Sequence, residues 1–199
     1  MAREITSIHV MVHPLFISSH TKLMLPGRKH PLDEDNLRAM QKKMPAGRSL
    51  FGILAETQLV LLKKHYLNQI KKIRKTPGAL LFLVTMKPKS FADKRPFLMM
   101  KGLSEQEARL VHDTYLKSLD DVQKSASKLG RKAVITYVEP KAVGATLFSE
   151  LASRGITPEN QPKIEVFGEW LRYCVKEAHK SIVNAGFRAK KKPGKSIPH

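Results

Sequence analysis

Cysteine is almost missing from this chain: a single residue, Cys174, stands among 199. One thiol rules out an intramolecular disulfide and the clustered thiolates of a zinc ribbon or finger, and it predicts a reducing, cytoplasmic location. Long hydrophobic runs are missing too. Apolar stretches such as Leu59-Val60-Leu61-Leu62 and Leu80-Leu81-Phe82-Leu83-Val84 fall far short of the roughly 20 residues that span a bilayer, so no membrane partner is expected. The opening residues Met1-Ala2-Arg3-Glu4-Ile5 lack the basic segment, apolar run and small-residue cleavage site of a secretory leader, and no export is expected. No glycine-rich loop follows the first apolar segment, which removes the dinucleotide fingerprint and the Walker motif and leaves no support for a cofactor. Acidic residues are scarce: 17 Asp and Glu stand against 36 Lys and Arg, for a net charge of +19 and a pI near 10.1. A field of that sign attracts polyanions.

What is present is globular. Hydrophobic residues at 42% and charged residues at 27% exclude wholesale disorder. A chain of this length buries roughly 70% of its unfolded surface and predicts one domain.

Residues 5–16 are rich in Ile, Val and Met and read as a strand that gives way to a loop at His13-Pro14, since proline removes a ladder donor and restrains its predecessor. Residues 17–31 are punctuated by Ser, Pro and Gly, a surface excursion leading to a short helix over 33–43. Between 49 and 76, Leu59, Leu62, Tyr66, Ile70 and Ile73 recur at helical spacing, with a basic opposite face and a stop at Pro77-Gly78. Residues 79–86 are continuously apolar, as in a central parallel strand covered on both faces. A basic loop over 87–101 precedes a helix over 104–129, with Ser104 and Glu107 in capping-box positions. A strand at 133–138, a helix at 142–154, a strand at 163–167 and a helix at 171–185 follow. Residues 188–199 have the composition of a flexible basic tail. The alternation predicts a single three-layer, Rossmann-like α/β domain over 1–187, with a mostly parallel sheet and helices on both faces. In such folds ligands bind beyond the carboxyl ends of the strands.

One of those ends carries the sharpest local pattern, Gly168-Glu169-Trp170-Leu171-Arg172-Tyr173-Cys174-Val175, followed by Gly186 twelve residues beyond the cysteine. The glycine after a strand, the Cys-Val pair six residues later and the second glycine resemble the isochorismatase-like cysteine hydrolases. Ala145-Thr146-Leu147 and the later Gly155-Ile156 are similar to that family's preceding helix and its Gly-Ile end. The resemblance covers the last third of the chain. It implies a Cys174 nucleophile acting on a small amide or ester, a lysine at the end of a preceding strand, for which Lys141 is the nearest candidate, and an acidic base at the end of the first strand. His13 stands in place of that acid, so the triad departs from the family pattern. Physically, a thiol at a helix N-terminus near a cation is populated as thiolate, and an imidazole with an ordinary pKa near 6.5 suits proton transfer. Cys174 is equally read as a small buried hydrophobe.

Two further readings stand beside this one. In the first, Gly168, Glu169 and Trp170 line a pocket that binds a small substrate or serves a noncatalytic scaffold. In the second, Lys71 and Lys72 on the long helix, Lys87 and Lys89 in the basic loop beside Phe91, and Lys190, Lys191 and Lys192 in the tail hold the phosphates of RNA or DNA. His9 alternates with Met11 and His13 on one strand, but no carboxylate pair or third ligand falls at suitable spacing, and no metal site is expected. Nothing in the sequence sets an oligomeric state.

Overall fold

A computed structural model describes residues 4–13, 42, 49–85, 95–100, 102–168 and 173–192. Within them, β1 (Ser7–Val12), β2 (Ala79–Val84), β3 (Ala133–Thr136), β4 (Lys163–Gly168) and β5 (Ala189–Lys191) form one sheet. The helices are α1 (Leu50–Lys75), α2 (Arg95–Met100), α3 (Glu105–Ser127), α4 (Val143–Ala152) and α5 (Cys174–Asn184). Every strand pair is parallel, in the order β3-β2-β1-β4-β5.

Side-chain alternation along the strands builds two cores. Met11, Leu81, Leu83 and Phe167 pack under α1 and α3. Ile8, Val10, Val12, Leu80, Phe82, Val84, Ile164 and Val166 pack under α4 and α5. β2 is buried at all six positions because helices cover both of its faces, which explains its unbroken apolar run. The result is the three-layer, Rossmann-like α/β fold that the alternating pattern predicts.

Helix ends follow their local chemistry. Ser49 caps α1 by accepting from the Gly52 N–H at 3.0 Å, and Lys72, Arg74 and Lys75 occupy its last turn, where cations complement the helix dipole. Ser104 and Glu107 form the expected reciprocal capping box at α3. At 26 residues, α1 is about 39 Å long, whereas a six-residue strand runs about 20 Å. Its last turn packs at the start of β2 through Ile73 and Ala79, so its first half rises past the carboxyl edge of the sheet beside α3.

The structure departs from the sequence expectations in three places. The tail begins inside the sheet: Ala189–Lys191 pairs with β4 as a fifth strand. Buried Phe187 and two hydrogen bonds between Gln161 and the Arg188 main chain, both 2.6 Å, lead the chain into that strand. The expected loop over 87–101 contains a helix, α2, whose second residue is Pro96, a favoured residue in a first turn because its missing N–H would be unpaired there anyway. The final helix begins at Cys174 rather than 171. The short helix expected over 33–43 and residues 193–199 of the tail lie outside the described residues, apart from residue 42.

Candidate functional site at the carboxyl ends of β1 and β4

The chain winds outward from β1 through β2 to β3, then crosses back to β4 and β5 on the other side of β1. The reversal lies between β1 and β4, the position at which open α/β sheets leave a crevice beyond their strand ends. Three adjacent strand ends meet there. Val12 is in register with Val84 on one side and with Gly168 on the other, so these three stand in a row across β2, β1 and β4, and Thr85 and His13 each follow one residue beyond it.

His13 leaves β1 with φ 43°, the left-handed region that non-glycine residues rarely adopt. Its N–H still donates to the Val84 carbonyl at 2.8 Å, which fixes the bend to β2. Burial holds its imidazole below the ordinary 6.5, because the charged form is poorly solvated there. Gly168 ends β4 with φ 155°, and a Cβ at this position would overlap the Val12 carbonyl. Only glycine lets the two strand ends approach this closely.

Cys174 is the first residue of α5, half-buried, and packs against the core beneath that helix. Tyr173 before it is exposed, with a carbonyl that accepts from the Glu177 N–H at 2.8 Å. Glu177 lies in the first turn of α5, where a carboxylate complements the dipole. Neighbouring strand ends thus carry His13 and the segment leading to Cys174. Glu169 and Trp170 fall between Gly168 and Tyr173, outside the described residues.

Lys141 is placed elsewhere. It sits in a 3-10 turn, Pro140–Ala142, and its carbonyl accepts from Ser181 Oγ at 2.7 Å. Ser181 lies seven residues along α5 from Cys174, a rise of about 10 Å. The Lys141 ammonium pairs with Glu139 at 3.0 Å in solvent.

The proposed phosphate contacts are likewise spread over the molecule. Lys71 and Lys72 are exposed near the end of α1. Lys190 and Lys191 lie on β5, three strand spacings or about 14 Å from β2, onto which α1 packs. Lys192 is turned inward to Glu165 at 3.4 Å. Lys87 and Lys89 lie outside the described residues.

Two polar arrangements carry no clear mark in the sequence. Thr85, buried at the end of β2, accepts from Gln123 Nε2 of α3 at 3.0 Å. Glu165, buried within β4, gathers Lys163 at 3.0 Å, Lys192 at 3.4 Å and His9 Nδ1 at 3.6 Å. His9 also meets Ser7 Oγ through Nε2 at 3.3 Å. The one available signal was Glu165 itself, an acid in the middle of Lys163–Gly168, and it makes His9 a partner of a carboxylate. Among the described residues no three His, Cys, Asp or Glu side chains converge as a metal site would require. Nor is any helix among them long and apolar enough to cross a membrane.

Comparison with protein families, with curated proteins and with solved structures found no match to this chain.

Proposed function

We propose that this chain is a divergent cysteine hydrolase-like protein acting on a small amide or ester in the crevice between the ends of β1 and β4. The observation that carries this reading is the register of Val12 with Gly168. That pairing sets the end of β1, which continues into His13, beside the end of β4, after which the sequence runs on to Cys174. The resemblance of the last third of the chain to isochorismatase-like hydrolases supports the same assignment.

In this reading Cys174 gives its proton to the His13 imidazole, whose lowered affinity for protons keeps it neutral at neutral pH. The thiolate attacks the substrate carbonyl carbon. The C–N or C–O bond breaks, His13 returns the proton to the departing amine or alcohol, and a thioester remains. Water then attacks the thioester with His13 as base, releasing the acid and restoring the thiol. The first-turn amides of α5 stabilise the thiolate. Lys141 has no step, because its main chain is held at Ser181 and its ammonium at Glu139.

The test is the rate of Cys174 alkylation by iodoacetamide against pH, in folded and in denatured protein. The sole cysteine makes the signal unambiguous. Rapid labelling of the folded chain with an apparent pKa well below about 8.5 supports the reading, and small amides and esters are then screened with Cys174→Ser as the blank. A thiol protected in the folded chain overturns it.

A further inference from the structure

The opposite, amino edge of the sheet contains a cleft of about 850 Å³, within the size range of small-ligand sites. Ile5, Leu80 and Ile156 give it apolar walls, and Arg131, Lys132 and Arg154 line it with cations. These residues come from four separate segments, before β1, in β2, before β3 and after α4, held together by specific bonds. Lys132 Nζ donates to the carbonyls of Arg74 at 3.5 Å and Thr76 at 3.2 Å, which ties the start of β3 to the end of α1. Arg154 donates to the Arg131 carbonyl at 3.4 Å and to Glu150 at 2.6 and 2.9 Å. Its guanidinium is thereby held beside the cleft with one charge already balanced.

The remaining cations have no such partner among the described residues. Arg131, and Lys71, Lys72, Arg74 and Lys75 from the end of α1, are exposed and make no ion pair among the described residues. The carboxyl ends of α1, α3 and α4 all lie at this edge. Each contributes a partial charge of only about −0.5, so helix dipoles do not account for a cluster of this size. Among the described residues Glu4 is the one acid lining the cleft.

We propose that this edge binds a single-stranded nucleic acid, with backbone phosphates on Arg131, Arg74 and Lys75 and an unpaired base against the apolar walls. An apolar recess lined by Arg131, and tied through Lys132 to the cationic end of α1, suits a flat uncharged base joined to phosphates. A duplex presents its phosphates without a free base to enter. This inference is independent of the reading at Cys174, which lies at the other edge of the sheet.

The experiment compares two triple variants of the full chain by fluorescence anisotropy of a labelled oligouridylate across a salt series. Arg74→Gln, Lys75→Gln and Arg131→Gln together remove the proposed contacts. Lys117→Gln, Lys176→Gln and Lys180→Gln remove the same charge from exposed positions on α3 and α5. The first triple is expected to weaken binding at least about tenfold and to lower the slope of log affinity against log salt by about 2, as three lost single-strand phosphate contacts require. The second is expected to stay within about twofold of the parent. Equal losses in the two triples, no binding by the parent, or equal affinity for a duplex or for inorganic polyphosphate each overturn the proposal. Thermal melts of both triples confirm that the fold is intact, since every substituted side chain is exposed. Cys174→Ser is expected to bind as the parent does, so failure at one edge is distinguishable from failure at the other.

Discussion

Glu107 Oε1 accepts from the Ser49 main-chain N–H at 2.6 Å, joining the first turn of α3 to the residue that caps α1. The other oxygen accepts from the Ser104 main chain at 3.3 Å and hydroxyl at 3.2 Å. One carboxylate therefore closes two helix N-termini, whose amides would otherwise lack intrahelical partners. The pair sits where the first turns of α1 and α3 meet.

Desolvation of this carboxyl raises its pKa, but the hydrogen bonds from Ser49 and Ser104 outweigh it and leave the group below the ordinary 4.5. A depressed carboxyl contributes stability that is present above the unfolded value and lost as pH falls through the folded one. Glu107→Ala is expected to cost about 2 kcal/mol at neutral pH by urea unfolding, with Glu107→Gln intermediate. The difference between the parent and Glu107→Gln should shrink below about pH 4.5. A difference independent of pH would show that the charge contributes nothing.

His13 gives a second pH signature in a separate window. Its folded imidazole protonates below the ordinary 6.5, so the unfolded chain takes up the proton first as pH falls. Stability from this group is full above about 6.5 and declines as pH drops toward the folded value. Asparagine tolerates the left-handed backbone of this position. His13→Asn is therefore expected to fold and to flatten the decline relative to the parent, measured as thermal midpoint across that range. An unchanged profile would mean that the imidazole is solvated in the native state.

At the crossing of α4 and α5, the Gly144 N–H donates to Ser181 Oγ at 2.9 Å, and a Cβ on Gly144 would overlap the Ser181 carbonyl. Because that contact is backbone, it has no flexible side chain to yield. Gly144→Ala is expected to cost about 3 kcal/mol. Ser181→Ala, which removes the hydroxyl shared by Gly144 and Lys141, should cost about 1 kcal/mol. Equal losses in denaturant unfolding would mean that the helices separate freely and that the close approach is not required.

Truncation distinguishes a free tail from a sheet strand. Ending the chain at Lys192 retains every described contact. Ending it at Phe187 removes β5 and the Lys192 ion pair, leaving Glu165 with Lys163 and His9. The longer form is expected to melt like the parent, and the shorter to lose about 2 kcal/mol. Identical melts would show that β5 adds nothing to the fold.

Legibility in the sequence followed how local each cause was. α3 announces itself through Ser104, Glu107 and a regular apolar stripe, and β2 through six consecutive apolar residues, because capping and two-sided burial act within a few positions. β5 does not: Ala-Lys-Lys has no β-forming composition, and it is a strand because β4 offers an open edge and Phe187 and Gln161 deliver the chain to it. That His13 and Gly168 end strands at the same carboxyl edge followed from alternation of strands and helices, whereas the adjacency of β1 and β4 did not. The Glu165 cluster did not, since it depends on the register of β1, β4 and β5, and the distance between Lys141 and Cys174 depends on where two helices cross.

The outer edge of β5 has a consequence for how copies of this chain meet. Among the described residues the parallel sheet ends there in three residues, and two of them are exposed lysines. An incoming strand finds little ladder to join and, if it comes from the same chain, a matching pair of positive charges. Short, charged edges of this kind resist strand-to-strand stacking. Lys190→Thr with Lys191→Val is expected to make the protein self-associate as concentration rises, visible by light scattering. That outcome would assign part of the chain's excess positive charge to keeping its own copies apart.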